Sequence, residues 1–310
     1  MNAHFIGVEI GGTKLQLVCG QSDGEILDRK RFEVDPHQGA AGIRQQVEEG
    51  VRCLMNQHAA VQGIGVGFGG PLDRTTGKVA CSHQIEGWAD FSLKNWLQDL
   101  SGLPAVVDND ANVAALGEAL KGAGIGFNPV FYVTLGSGVG GGAVVDNGIY
   151  HGAHPGESEI GHLRLDMSGR IVEEVCSGWA VDRRIREAIT NRPDSLLARV
   201  VGDRNRGEAT CLNQALDGGC EVAEKIFEET TRSLAFALSH VVHLMHPEAI
   251  ILGGGLSLMG DRLIQGVADQ LPHWMMKVFL PAPQIKQAVL REDVVPVGAL
   301  LMAGQMIARS

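Results

Sequence analysis

The sequence predicts an α/β protein built as two similar halves with a ligand cleft between them. Two β-like runs, Phe5–Ile10 and Val130–Leu135, each lead into a glycine turn, Gly11-Gly12 and Gly136-Ser137-Gly138, and each turn is followed by a returning apolar run. Between them, Val107–Glu118 (Val-Asp-Asn-Asp-Ala-Asn-Val-Ala-Ala-Leu-Gly-Glu) places Asp108, Asn109 and Asp110 where an apolar run, Leu103–Val107, meets an Ala-rich helical pattern. Open α/β sheets bind ligands at such strand ends. One polar side chain suffices to cap the helix, so the surplus carboxylate beside two possible phosphate cradles points to phosphoryl transfer.

Composition narrows the class. A chain of 310 residues, 45% hydrophobic and 20% charged, is long enough for two medium domains with ample core. Its formal charge of −10 argues against a general binder of nucleic acid or anionic membrane. ATP is still allowed, because backbone N–H groups and Mg²⁺ hold phosphates locally. The 42 glycines cluster in turns, where they let the backbone approach a ligand closely. The six cysteines are scattered without a Cys-x-x-Cys pair, which reads as reduced thiols in a cytoplasmic protein. No apolar run reaches the ~18 residues of a membrane span.

In chain order, Phe5–Ile10 is a strand, Gly11-Gly12 a hairpin turn needing positive φ, and Leu15–Val18 the returning strand. The turn amides with the Thr13 hydroxyl would make an anion nest. From Gly39 to Gln62, Ile43, Val47, Val51 and Leu54 recur at helical spacing. Gly63–Gly70 alternates as a strand in which glycine permits close approach. Ser82, His83, Gln84, Glu86 and Trp88 form a polar loop with an aromatic anchor, suited to a hydrophilic small molecule, though an ordinary surface loop pinned by Trp88 reads equally well. Leu93–Leu100 is a helix, and the small residues of 119–129 are the natural hinge.

The second half opens with Val130–Leu135, a turn over Gly136–Gly142 and a returning strand Ala143–Asp146. Glu173–Gly178 starts a helix, residues 191–216 are a polar helical connection with no diagnostic feature, and a long helix runs from about Cys220 to Met245. Ala249–Leu252 is a buried strand ending in Gly253-Gly254-Gly255, followed by a helix from Met259. Val294–Ile307 is an apolar helix packed back on the first domain.

Other readings fall short. Gly136–Gly141 matches Gly-x-Gly-x-x-Gly, but a strand rather than the helix of a dinucleotide site follows. The P-loop pattern is absent. His151, His154 and His162 with Cys176 are too irregularly spaced to read as a metal site.

Five motifs occur in a specific order: Gly7-Val-Glu-Ile-Gly-Gly-Thr-Lys14, Val107-Asp-Asn-Asp-Ala-Asn112, Thr134-Leu-Gly-Ser-Gly-Val-Gly-Gly141, Glu159-Ile-Gly-His162 and Ile251-Leu-Gly-Gly-Gly255. Over essentially its whole length the chain resembles the ROK (repressor, ORF, kinase) sugar kinases, a branch of the actin-like ATPase superfamily. The resemblance implies two ribonuclease-H-like domains, 1–118 with 294–310 and 119–293, closing on a hexose with ATP and Mg²⁺, in a homodimer. It implies Asp110 as the general base, and Asn109, Glu159, His162, Glu173 and Gln84 as sugar contacts. Gly11, Gly12, Thr13 and Lys14 with Gly136, Ser137 and Gly138 match the phosphate loops, and Gly254-Gly255 the adenosine motif.

The chain departs from the family in three places. Glu9 stands where the family has Asp, one methylene shorter, so the reach to Mg²⁺ or to a water bound to it changes. The family's cysteine-rich zinc cluster is missing after His162, where Cys176 alone remains, so zinc is not expected. Gln84 replaces the family's Asn four residues before Trp88. The expectation is an ATP-dependent hexose kinase of the glucokinase or fructokinase kind. The alternative is a non-catalytic sugar sensor related to the ROK repressors, whose DNA-binding segment has no counterpart in the six residues before Gly7.

Overall fold

The computed structural model describes residues 3–12, 14–82, 85–153 and 158–309. The chain forms two compact units: Met1–Ile125 with Gly142–Glu157 and Leu290–Ser310, and Gly126–Gly141 with Ser158–Val289. Residues 142–153 thus cluster with the first unit, whereas the sequence reading places them in the second.

The first sheet contains β1 (His4–Ile10), β2 (Lys14–Gln21), β3 (Ile26–Glu33), β4 (Val61–Phe68) and β7 (Ala105–Asn109), in the order β3-β2-β1-β4-β7. The hairpin β1–β2 is antiparallel, whereas β1, β4 and β7 run parallel. A ribbon of β5 (Leu72–Asp73) and β6 (Lys78–Val79) precedes the loop anchored by Trp88. Helix α1 (Gly39–Gln57) buries Ile43, Val47, Val51 and Leu54, the stripe that the 3.6-residue period selects. Helix α2 (Leu93–Ser101) stops at Gly102 in the left-handed region, the usual glycine C-cap. Helix α3 (Asp110–Lys121) follows β7 directly.

The last helix, α10 (Val294–Ala308), packs against α3, β1 and β4 as its apolar composition predicts. Glycine makes that packing close: a methyl at Gly65 would collide with the Ala299 carbonyl, and one at Gly298 with the Val113 carbonyl.

The second sheet has the order β10-β9-β8-β11-β12, from β8 (Val130–Leu135), β9 (Val139–Val145), β10 (Gly148–Ile149), β11 (Ala249–Gly253) and β12 (Gln284–Gln287). Numbered by appearance, both five-stranded sheets read third, second, first, fourth, fifth. The turn after β8 is shorter than the glycines suggested, because Val139–Gly142 already belong to β9. Gly142 is there for packing, since a Cβ would lie 2.7 Å from the Ala115 methyl of α3.

The second unit also holds α4 (Glu173–Cys176), α5 (Gly178–Asn191), α6 (Leu196–Val201), α7 (Leu212–Asp217), α8 (Glu221–Met245) and α9 (Asp261–Gln270). Helix α8 ends at His246, in the left-handed region before Pro247, because proline cannot continue the helix. The helix expected from Met259 begins at Asp261, after a 3-10 turn over Gly255–Met259. No helix among the described residues is long and apolar enough to cross a membrane.

Candidate active site

In the first unit, strand register assembles the site. Ile10 pairs with Phe68 and Phe68 with Asn109, so three parallel strands end level. The residues just beyond, Gly11, Gly69 and Asp110, therefore meet at one carboxyl edge. An ideal Cβ on Gly69 would lie 3.3 Å from Asp110 Oδ2, 3.3 Å from the Ile10 carbonyl and 3.7 Å from Gly11 Cα. Any side chain at position 69 would press on the Asp110 carboxylate.

The three polar residues divide the work at this junction. Asn109 is the N-cap of α3, its Oδ1 accepting from the Ala111 N–H at 2.9 Å, and its Nδ2 donates to the Gly70 carbonyl at 3.4 Å. Asp108 is buried, and its Oδ1 accepts from the Asn109 N–H at 2.8 Å and from Asn112 Nδ2 at 3.0 Å. Its Oδ2 faces His151 Nε2 at 2.5 Å. Capping thus falls to Asn109, leaving Asp110 as the acidic, half-buried first residue of the helix. There the helix dipole favours the anion.

His151 is a partner of Asp108 that sequence reading missed, because only the tertiary fold brings the two together. The metal site weighed for His151, His162 and Cys176 does not assemble among the described residues, and His154 lies outside them. Cys176 is buried, donates to the Thr230 carbonyl at 3.7 Å, and has its thiol pushed up to about 12 by burial.

At the first glycine turn, the Gly11 N–H donates to the Lys14 carbonyl at 3.0 Å. Glu9 and Gln16 are directly opposite on β1 and β2, and Gln16 Nε2 donates to Glu9 Oε2 at 2.5 Å. The same carboxylate oxygen pairs with Lys14 Nζ at 3.5 Å, and Lys14 also donates to the Glu292 carbonyl at 3.4 Å. Burial pushes the Glu9 carboxyl above the usual carboxylate range, and Lys14 and Gln16 pull it part of the way back. Thr13 and Gln84, both site candidates, lie outside the described residues. Trp88 is buried edge-on against Phe68 at 5.2 Å and Phe91 at 5.5 Å. Its indole therefore pins the loop from beneath.

The second unit has a cavity of about 370 Å³ at the equivalent sheet edge. Small-molecule sites run from about 300 to 1,000 Å³. Strand β8 ends beside β11, with Gly253 paired to Thr134, so Leu135–Ser137 and Gly255–Met259 supply two of its walls. Gly254 has φ +77°, and a Cβ there would lie 2.6 Å from the Leu135 backbone. Only glycine fits.

Gly178 and Trp179, the first residues of α5, form a third wall and turn a helix N-terminus toward the cavity. Such an end favours anions. The Gly178 N–H donates to the Gly136 carbonyl at 2.8 Å, tying helix to turn. Glu173 braces the same turn: its Oε2 accepts from the Val139 N–H at 2.9 Å, and a Cβ on Gly138 would collide with that carboxylate.

The remaining wall, Gly207, Ala209, Thr210 and Asn213, comes from the stretch that the sequence left without a role. Asp182 holds it, accepting from the N–H groups of Gly207 at 3.1 Å and Ala209 at 2.7 Å. Glu159 and His162 are exposed at the two ends of a 3-10 turn whose Ile160 and Gly161 are buried, with the His162 N–H donating to the Glu159 carbonyl at 3.1 Å.

The fold and these motifs have close counterparts. The ROK family profile matches residues 5–306. The glucokinase of Halalkalibacterium halodurans is 30% identical over 307 residues, covering 95% of this chain and 93% of that protein. A structure of a ROK family glucokinase from Streptomyces griseus in complex with glucose and AMPPNP superposes with a TM-score of 0.83 at 30% identity, covering 98% of this chain and 100% of that one. The xylose repressor of Caldicellulosiruptor bescii is 22% identical over 96% of this chain and 77% of its own length. The two five-stranded sheets with their helices are the actin-like ATPase fold of the ROK glucokinases. With a family match from Phe5 to Met306 and the motif residues at matching strand ends in both units, the chain belongs to the ROK family.

Proposed function

We propose that this protein is an ATP-dependent hexose kinase in which Asp110 is the general base. The observation that carries the proposal is the division of labour after β7: Asn109 caps α3, so Asp110 is not needed as the cap, and its carboxylate lies beside Gly69 at a three-strand carboxyl edge. Phosphoryl transfer asks for positioning, charge neutralisation and a base near the attacking hydroxyl. In this reading Asn109 orients the sugar, and Asp110 takes the proton from the hydroxyl as its oxygen attacks the γ-phosphorus and ADP leaves. The buried Asp108–His151 pair keeps the junction rigid. Glu159, His162 and Glu173, the last through Oε1, supply further hydroxyl contacts, and Gln84 another from the Trp88 loop.

The second-unit cavity takes the nucleotide. The helix N-terminus and the Gly136–Gly138 turn receive phosphates, and Gly254-Gly255 lies against the adenosine. ATP enters as its Mg²⁺ complex, which neutralises phosphate charge. Glu9 suits a contact through water better than direct ligation, because Lys14 and Gln16 already hold its Oε2. Lys14 reaches a phosphate by leaving Glu9. The His162 segment needs no zinc for this chemistry. A cytoplasmic location and a homodimer are proposed on family resemblance. The match to a kinase crystallised with glucose and AMPPNP supports the reading and makes glucose the first sugar to try.

The test is a coupled assay of ADP release over a panel of hexoses and N-acetylated amino sugars. Turnover that depends on one of them is expected. Sugar binding without turnover for every sugar would instead favour the sensor reading, which the repressor relative keeps in view.

A further inference from the structure

We infer that His4, Cys19 and His58 form a site for one divalent transition-metal ion of the zinc class, on the face of the first sheet covered by α1. Strand register alone brings the residues together. Ile6 lies opposite Cys19 across β1 and β2, and Cys19 lies opposite Asp28 across β2 and β3. Directly opposed residues share a face, and His4, two residues before Ile6, shares it too. Ile6 and Cys19 are in the same core cluster as Leu54 of α1, so this is the face that the helix covers. His58 is the C-cap of that helix, its N–H donating to the Leu54 carbonyl at 2.9 Å.

A ligand-capable atom from each of the three side chains lies within 4.8 Å of the other two, a convergence that no other trio of such residues makes among the described residues. The thiol is fully buried, whereas both imidazoles are half-buried and give an ion a way in.

Each imidazole also has the outer partner that a metal-bound histidine requires. His4 Nδ1 lies 3.0 Å from the Ala59 carbonyl, which can only accept, so Nδ1 carries the proton and Nε2 the lone pair. His58 Nε2 lies 3.1 Å from Asp28 Oδ2, which places its proton on Nε2 and its lone pair on Nδ1. A carbonyl or a carboxylate behind a histidine fixes its tautomer and strengthens it as a ligand. Plain packing explains the edge-to-face contact of the two rings, 5.9 Å between centroids, but requires neither the convergence with a thiol nor the outer partner behind each ring.

One sulfur and two imidazole nitrogens select zinc, cobalt or copper over magnesium and leave a fourth position for water. This ion is therefore different from the Mg²⁺ that accompanies ATP. The site lies apart from the cysteine-poor stretch after His162, on which the expectation of no zinc rests. As the metal–sulfur bond forms, the Cys19 thiol proton leaves to solvent.

The experiment titrates the full chain, first stripped with a chelator, with Co²⁺ as an optical stand-in for Zn²⁺. One Co²⁺ per chain is expected, with a thiolate-to-cobalt charge-transfer band that Zn²⁺ abolishes and Mg²⁺ leaves intact. The band should vanish in Cys19→Ser, and Co²⁺ affinity should fall at least ~10-fold in His58→Gln. Absence of the band in the wild type, or its survival in Cys19→Ser through Cys53 or Cys81, would overturn the assignment. If Cys19→Ser does not fold, His58→Gln decides, because an unchanged affinity there is equally fatal.

Discussion

The two sheets share one strand order and end in different chemistry. At the carboxyl edge of β1, β4 and β7 the chain places a buried carboxylate–imidazole pair, Asp108 with His151, and a second acid, Asp110, beside Gly69. At the carboxyl edge of β8 and β11 it places glycines, a helix N-terminus and a cavity of about 370 Å³. Even the two glycine turns differ in their bracing. The first is held from below by the Glu9–Lys14–Gln16 cluster, and the second by Glu173 on the Val139 amide. In the proposed function the same backbone plan carries proton chemistry in one unit and an anion cradle in the other. Function sits in the loops grafted onto the plan, not in the plan.

Substitutions that touch one edge only can break this contrast. The largest effect is expected for Asp110→Asn, which keeps the shape but cannot take a proton. Turnover should fall by at least the ~10²-fold typical of general-base loss, with the ATP KM and the thermal melt nearly unchanged. Near-normal turnover in the folded variant would remove Asp110 from the chemistry.

At the other edge, Gly254→Ala forces a methyl against the Leu135 backbone, where the chain enters the Gly136–Gly138 turn. The ATP KM should rise by about 10-fold, as expected when a loop that positions phosphates is displaced, while the hexose KM holds. A rise in the hexose KM alone would reverse the assignment of the two edges.

The smallest effect concerns stability. Because burial raises the folded Glu9 pKa, this carboxyl favours the fold at low pH, and that stability is lost as pH rises from the ordinary value of 4.5 through the raised one. Glu9→Gln should therefore melt higher than the wild type at pH 8, by about 2 °C, with the gain gone near pH 4. A variant that melts lower than the wild type at pH 8 would mean that the Lys14 pair, not burial, governs Glu9.

Much of this arrangement is legible in the residues. The β1 and β8 hairpins, α1, α8 and β11 announce themselves because burial on one or both faces leaves a strong apolar period. The three polar residues after Val107 stand out because capping needs one. Strand β3 does not, since it is an edge strand with Asp28, Arg29, Lys30 and Arg31 along it and lacks a clean apolar alternation. The Asp108–His151 pair and the wall from Gly207 to Asn213 are equally silent. Their partners lie far apart in sequence, and short helices such as α7 carry too few turns to show a period. The run Gly140–Gly142 misleads in the other direction, because its glycines lie within β9 rather than in a turn, and Gly142 serves packing against α3.

The division between the two edges is tested most directly by hydrogen exchange of the wild-type protein with glucose alone and with AMPPNP alone. Glucose should slow exchange at the amides of Asn109 to Asn112 and leave those of Gly207 to Asn213 and Gly254 to Met259 unchanged. AMPPNP should do the reverse, adding protection at Ser137 and Gly138. Protection of the same amides by both ligands, or of the Asn109 segment by AMPPNP alone, would contradict the account.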